Sequence, residues 1–326
     1  MTINVIKPGL ATTVQDAGRE GYYHLGIPPS GALDPYSMQM ANLLVGNAAD
    51  DAVLEMTLLG PELHFSSDAL IAVCGAAMTP IVDNQPAAAH SALYIRAGQH
   101  LRFAPARQGS RGYLAIAGGL DVPRILGSRS TYTLGALGGF QGRRLAAGDV
   151  LNVQPVNADR FRREGNTVPE VLLPVLEKSV TLRLVPGLYI HRLTDAAVDT
   201  FFADDWYVST EADRTGYRLK GGQPLAFNPR TPPFGAGSDP SNIVDACYPI
   251  GSVQVPGGLE PIVLLRDAVS GGGYMTLGTV ISPDLAILGQ LQPNQHVRFM
   301  PVTLEEALVA RRQSQQRLAQ LANVLR

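Results

Sequence analysis

Lysine is scarce in this chain. Lys7, Lys178 and Lys220 are the only three among 26 basic residues, so its basic chemistry is almost entirely that of arginine. None of the three lies in a Walker-type glycine loop, and none stands between methionines as a biotin-carrying lysine does. Nucleotide cradling and carboxyl carriage are therefore not expected of this chain itself. Cysteine occurs twice, as Cys74 and Cys247, both in apolar stretches; this excludes a disulfide framework and fits a reducing cytoplasm. The formal net charge is only −2, which leaves no electrostatic footprint for nucleic acid or anionic lipid. No apolar run reaches the length of a membrane span. The start, Met1-Thr-Ile-Asn-Val-Ile-Lys-Pro-Gly9, lacks a basic region followed by a long apolar core, so a soluble intracellular protein is expected. The six histidines (His24, His64, His90, His100, His191 and His296) show no metal-ligand spacing and neither cysteine has a near partner, so no metal site is expected. A Gly-x-Ser-x-Gly elbow is also missing.

What is present is a chain long enough for two domains: 326 residues, 45% of them hydrophobic and 17% charged. Short apolar runs at 3–6, 53–59, 69–74, 92–95, 100–103 and 113–117 are broken by Pro8-Gly9, Gly60-Pro61, Gly75, Asp83-Asn84 and Gly98. That rhythm predicts strands of an antiparallel barrel or sandwich, not a doubly wound sheet. Asp34-Pro35 predicts a helix start, with Met38, Ala41, Leu44 and Val45 on one face. Residues 154–178 read as a linker or crossing segment. Strands follow at 181–185, 206–209 and 262–265, with a short helix capped by Thr194 and a last helix opened by the Thr303–Glu306 capping box. His100 and His296 fall in strand patterns and read as structural. The expected boundaries are 1–155, 156–180 and 181–326. A weak repeat supports two related β domains: 97–103 resembles 293–299, and Asp16…Gly21-Tyr22 resembles Asp213…Gly216-Tyr217.

Candidate chemistry sits in loops. Residues 109–149 combine glycines with Arg124, Arg129, Arg143 and Arg144 and with the hydroxyls of Ser128, Ser130 and Thr131. Such a stretch either makes turns between barrel strands or lets backbone N–H groups and guanidinium forks approach an anion. Asp16 with Arg19, Asp213 with Arg214, and Arg266 with Asp267 repeat one combination. It suits an arginine clamp on a carboxylate or phosphate beside an aspartate that moves a proton, and equally an ion pair that buttresses a turn. Gln254 lies between strand residues, where its amide suits a urea-like or lactam ligand or a cross-link between strands.

Several motifs carry a family resemblance. Thr-Thr-Val-Gln-Asp-Ala-Gly-Arg at 12–19, Gly-Ile-Pro-Pro-Ser-Gly-Ala-Leu-Asp at 26–34 and Asn42-Leu-Leu-Val-Gly-Asn47 occur in the first third. Leu54-Glu-Met-Thr57, 113–123, Gly138-Gly-Phe-Gln-Gly-Arg143, Asp213-Arg-Thr-Gly-Tyr-Arg-Leu219 and Gly251-Ser-Val-Gln-Val-Pro256 follow in order. Together they resemble the KipA-like family, also called the biotin-dependent carboxyltransferase or allophanate hydrolase subunit 2 family. The resemblance implies a mainly β fold: two cyclophilin-like β-barrel domains in tandem, with a few short helices and a C-terminal helix. It implies the role of the C subunit in an ATP-dependent 5-oxoprolinase, which opens 5-oxo-L-proline to glutamate. A KipI-like B subunit and a separate A subunit complete that complex, and the chain is expected to be inactive alone. Alternatives within the family are the carboxyltransferase part of a urea or amide carboxylase, with biotin carried by a partner, and a KipA-type regulator that binds a KipI-like kinase inhibitor. In each case ATP or biotin is used by the complex and no cofactor is assigned to this chain. The residues expected at the site are Asp16, Asp213 and Asp267 as catalytic carboxylates, and Arg19, Ser30, Arg129, Arg143, Arg214, Tyr217 and Gln254 as substrate or anion ligands. Two departures stand out: Ser270 and Met275 replace a threonine and a proline near Asp267, and Asp245-Ala-Cys247 replaces a Ser-acidic-Gly turn.

Overall fold

The computed structural model describes residues 1–325. The fold is mainly β, and the chain divides into two compact units. The first comprises Met1–Arg19, Ser30–Leu176 and the C-terminal residues from Gln315; the second comprises Glu20–Pro29 and Glu177–Ser314. This division departs from the linear boundaries in three places, the first being residues 20–29, which group with the second unit. Most of the expected crossing segment joins the first unit, because Val168 and Leu172 are buried in its core. The end of the helix Leu304–Val324 also returns there, with Leu321 fully buried in the same cluster.

In the first unit the strands form two sheets, one of six strands and one of five. The alternation of apolar residues shows why they stack. Ile3, Val5, Leu63, Phe65, Leu101 and Leu151 from the six-stranded sheet share one cluster with Val14, Leu54, Met56, Ile71, Val73, Leu114 and Ile116 from the other. Residues two apart on a strand point to the same face, so Leu70, Ala72, Cys74, Tyr113 and Ala115 project the other way. They meet the helix Pro35–Leu44 through Met38, Ala41 and Leu44. That helix begins as its sequence predicts, with the Asp34 carboxylate accepting from the Ser37 N–H at 3.1 Å and Pro35 in the first turn.

Tyr113 anchors this helix to the sheet. Its hydroxyl donates to Glu55 Oε2 at 2.9 Å and accepts from the Asp34 N–H at 2.7 Å, and Leu33 N–H donates to the same Glu55 oxygen at 2.9 Å. Burial first, then the Glu55 and Asp34 charges, push the Tyr113 phenol far above its ordinary range. Tyr113→Phe should cost about 1–3 kcal/mol, because the buried Asp34 N–H loses its acceptor; a urea denaturation midpoint matching wild type would contradict this.

In the second unit seven strands close into a barrel. Ser179–Pro186 pairs in parallel with His296–Pro301, and the remaining pairings are antiparallel. Val180, Leu182, Leu184, Val208, Leu219, Val253, Val263, Leu277 and Val297 are buried. The helix Ser282–Gln290 was not expected from periodicity. Its Asp284, fully buried, accepts from Arg183 Nη2 at 2.6 Å, Nε at 3.0 Å and the backbone N–H at 2.8 Å. A separate two-stranded ribbon pairs Asn242–Cys247 with Gly271–Tyr274. Cys247 lies on this ribbon and is exposed, against the expectation of apolar surroundings for both cysteines; Cys74 is buried.

The two weak repeats recur as geometry. Gln99 Oε1 accepts from Arg96 N–H at 2.7 Å, and Gln295 Oε1 accepts from Gln292 N–H at 2.8 Å, each in a turn that contains a left-handed residue, Gly98 or Asn294. Asp16 and Asp213 each accept from the N–H two residues on. One turn chemistry thus serves both units.

Candidate functional site

The predicted residues gather in two places, one in each unit. In the first unit the strand Thr13–Gln15 delivers Asp16 to a loop junction. Asp16 Oδ1 accepts from the Gly18 N–H at 2.8 Å, from Ser128 Oγ at 2.6 Å and from Ser130 Oγ, while Oδ2 accepts from the Arg129 N–H at 2.5 Å. Arg19, 1% exposed, donates through Nη2 to the Ser130 carbonyl, and Arg129 Nε donates to Val122 O at 2.9 Å. Ser30 is buried in a left-handed conformation with φ of 53°, followed by Gly31 at 88°. A Cβ on Gly31 would stand 2.9 Å from the Ala17 carbonyl, so the Ser30-Gly31 turn lies directly on the Asp16 loop. Left-handed serine is sterically costly, and such backbone concentrates at functional loops.

The glycines of the Gly109–Asp149 stretch do close-approach work here. Gly138 has φ of +70°, and a Cβ there would lie 2.2 Å from Ser130 O and 2.6 Å from Arg19 Nη2. Gly138→Ala should destabilise the first unit by about 2 kcal/mol or more and displace Arg19; an unchanged melting curve would refute that reading. Arg143 is engaged elsewhere. It makes a bidentate pair with Asp149 at 2.8 and 2.8 Å, donates to Gln141 Oε1 and Arg144 O, and lies over the Phe140 ring. Hydrogen bonding to Arg143 holds the Asp149 carboxyl below its ordinary range.

In the second unit, Arg214 Nε and Nη2 donate to Asp267 Oδ2 and Oδ1 at 2.8 and 3.0 Å, and the Asp267 N–H donates to Arg214 O at 3.0 Å. The two side chains are 14% and 6% exposed, a nearly buried fork-to-fork pair. Neighbouring Asp213 is exposed. Its Oδ1 accepts from the Thr215 and Gly216 N–H groups at 2.7 and 3.3 Å. Asp213 also lines a cavity of about 430 Å³ together with Thr210, Glu211, Thr215, Arg218 and Ile262. Arg218, at 3.0 Å from Glu211 and 3.2 Å from Glu260, is neutralised on both sides. Tyr217 points into the barrel, with its hydroxyl 3.3 Å from Gly289 O. Gln254 is 7% exposed and hydrogen-bonds Tyr248.

Tyr248 and Tyr23 were not singled out by sequence. The Tyr248 hydroxyl donates to Tyr274 O at 2.7 Å and accepts from the Tyr274 N–H at 2.8 Å, pinning the ribbon. The Tyr23 hydroxyl reaches Tyr248 O and Val269 O at 2.9 and 3.0 Å. Burial raises both phenols above their ordinary range. Among the described residues, no group of three or more His, Cys, Asp or Glu side chains could hold a metal ion, and no helix is long and apolar enough to cross a membrane.

A mainly β chain with Arg–Asp clusters in glycine-tight loops matches a defined class. The profile described as carboxyltransferase domain, subdomain A and B, matches residues 25–301, and the chain belongs to that family. Among its relatives, the C subunit of 5-oxoprolinase from Escherichia coli is 36% identical over 320 residues, 98% of this chain and 97% of that protein. Urea amidolyase of Saccharomyces cerevisiae is 34% identical over 312 residues, 94% of this chain but only 17% of the relative. The chain thus spans about a sixth of that much longer protein. In the crystal structure of the K. lactis urea amidolyase, a region 34% identical superposes with a TM-score of 0.91, covering 98% of this chain and 20% of that one.

Proposed function

We propose that this chain is the C subunit of an ATP-dependent 5-oxoprolinase complex. There it contributes to opening 5-oxo-L-proline to L-glutamate in the cytoplasm, with a KipI-like B subunit and an A subunit, and is inactive alone. The observation that carries the reading is the similarity to the E. coli C subunit, which takes in 97% of that protein. The chemistry is compatible, because a lactam acid needs hydrogen-bond partners for its amide and a cation for its carboxylate.

Of the three candidate carboxylates, Asp213 is best placed to move a proton. Asp16 is consumed by four donors and Asp267 by Arg214, whereas Asp213 is exposed on the cavity wall with only Oδ1 engaged. Within the first unit Arg19, Ser30 and Arg129 shape the Asp16 loop and Arg143 holds the Asp149 turn; within the second Gln254 and Tyr217 brace the barrel that carries Asp213. A carboxyltransferase role on urea or another amide, using biotin on a partner, is the second reading; the K. lactis superposition favours it.

Co-purification with the products of neighbouring genes, followed by two assays, separates these readings. ATP hydrolysis stimulated by 5-oxo-L-proline supports the first, and biotin-dependent urea carboxylation supports the second. Turnover in neither assay, with tight binding to a KipI-like partner, would sink both and leave a regulator.

A further inference from the structure

Two arginines of the second unit converge where, among the described residues, no carboxylate pairs with either. Arg192 ends the short 3-10 helix Ile190–Arg192, and Arg230 lies in the proline-rich loop that leads to the ribbon. Arg192 Nη1 donates to the Asn242 carbonyl at 3.0 Å and Nη2 to the Pro240 carbonyl at 2.5 Å, while Arg230 Nη2 donates to the same Asn242 carbonyl at 2.5 Å. One carbonyl oxygen therefore holds two cations side by side. The Nε atoms of both are buried without a hydrogen-bond partner, and Arg192 is 8% exposed.

The surroundings are built, not loose. Asn228 N–H donates to Arg192 O at 2.8 Å, and its side-chain amide donates to His191 O and Leu193 O at 3.0 and 2.8 Å. The stitched backbone holds the pair in register. Burial, and after it the Arg230 charge, lowers the Arg192 guanidinium from its ordinary value. Two adjacent cations in a partly dry site carry a standing repulsion, which a bound anion removes. Arg230 is only partly buried, so the pair is open on its side. The same two segments expose Leu188, at 90%, and Phe234 completely.

We propose that Arg192 and Arg230 form a binding site for a small oxyanion, the carboxylate or phosphate group of a ligand. Planar guanidinium forks suit both groups. Neither arginine lines the Asp213 cavity or bonds the Arg214–Asp267 pair, and the site does not require the oxoprolinase reading to hold.

Isothermal titration of the purified chain in low-chloride buffer tests it with three probes: inorganic phosphate, 5-oxo-L-proline, and 2-pyrrolidinone, which is the same lactam ring without the carboxylate. Phosphate or 5-oxo-L-proline should bind, 2-pyrrolidinone should not, and Arg230→Gln should weaken binding about tenfold to a hundredfold. Arg192→Lys keeps the charge and should weaken it less, guarding against a folding defect at the more buried position. Binding of phosphate alone identifies the source as a phosphate group, and binding of 5-oxo-L-proline alone identifies it as a carboxylate. No binding of either oxyanion, or equal affinity in Arg230→Gln, overturns the site. The measurement uses the chain without partners, so it stands or falls independently of turnover by the complex.

Discussion

Asp16→Ala is expected to destabilise the first unit by roughly 3–5 kcal/mol, since it strands several buried donors at once. Four groups converge on this carboxylate, three of them from residues 128–130. Without it the Ser130 carbonyl is no longer positioned, and Arg19 loses the acceptor of its Nη2. Asp16→Asn keeps the shape and one acceptor oxygen but turns an N–H₂ toward a donor, so a smaller loss of about 1–2 kcal/mol is expected. Chemical denaturation followed by fluorescence or circular dichroism measures both. A stability of the alanine variant within about 1 kcal/mol of wild type would show the cluster to be dispensable. Activity of the reconstituted complex adds a second axis. If Asp16 moves protons, Asp16→Asn abolishes turnover while remaining folded; if it is a loop anchor, turnover declines only as far as stability does.

Arg214→Ala should also cost about 3–5 kcal/mol, because it leaves the Asp267 carboxylate buried without its cation. The double replacement Arg214→Met with Asp267→Leu removes both charges and should recover most of that loss. This contrast separates packing from chemistry. A double variant that is stable and fully active in the complex would reduce the pair to a turn buttress. One that is stable but inactive would place the pair at the reacting ligand. Double and single variants equally unstable would mean that other partners of the loop, not the charge pair, carry its stability.

Local pattern carried much of the fold because the signals that start and stop its elements are local. Asp34-Pro35 caps its helix as expected. Thr194 accepts from the Ala197 N–H at 3.2 Å, and Thr303 and Glu306 exchange hydrogen bonds at 2.8 and 3.2 Å. The two histidines of the strand patterns lie in strands and make ring contacts: His100 packs on His64, and His296 on Tyr207. What pattern could not carry was distance along the chain. Residues 20–29 group with a unit that otherwise starts at Glu177, and the last turns of the chain return to the first unit. The helix Ser282–Gln290 escaped notice because its N-cap, Ile281, offers no side-chain acceptor. At the candidate site, residue types were legible and commitments were not. Asp16 is occupied by residues more than a hundred positions away, and Tyr217 looks like a ligand contact in its motif but is buried inside the barrel. The Arg192–Arg230 pair leaves no motif at all, since the two residues meet only through the Asn242 carbonyl.

The ribbon brings together Asp245-Ala-Cys247 and the stretch from Ser270 to Met275, the two places singled out in the sequence. Ala246 faces Gly272 and Cys247 faces Gly271, while the Tyr248 N–H bonds Ser270 O and the Met275 N–H bonds Ser241 O. The two stretches are therefore halves of one object and exchange sensibly only as a pair. In a chimera, the glycine strand transfers outline, because it offers little beyond backbone, and the Asn242–Cys247 strand transfers chemistry. Grafting either strand alone into a relative mismatches the two edges; grafting both together moves a self-contained cassette.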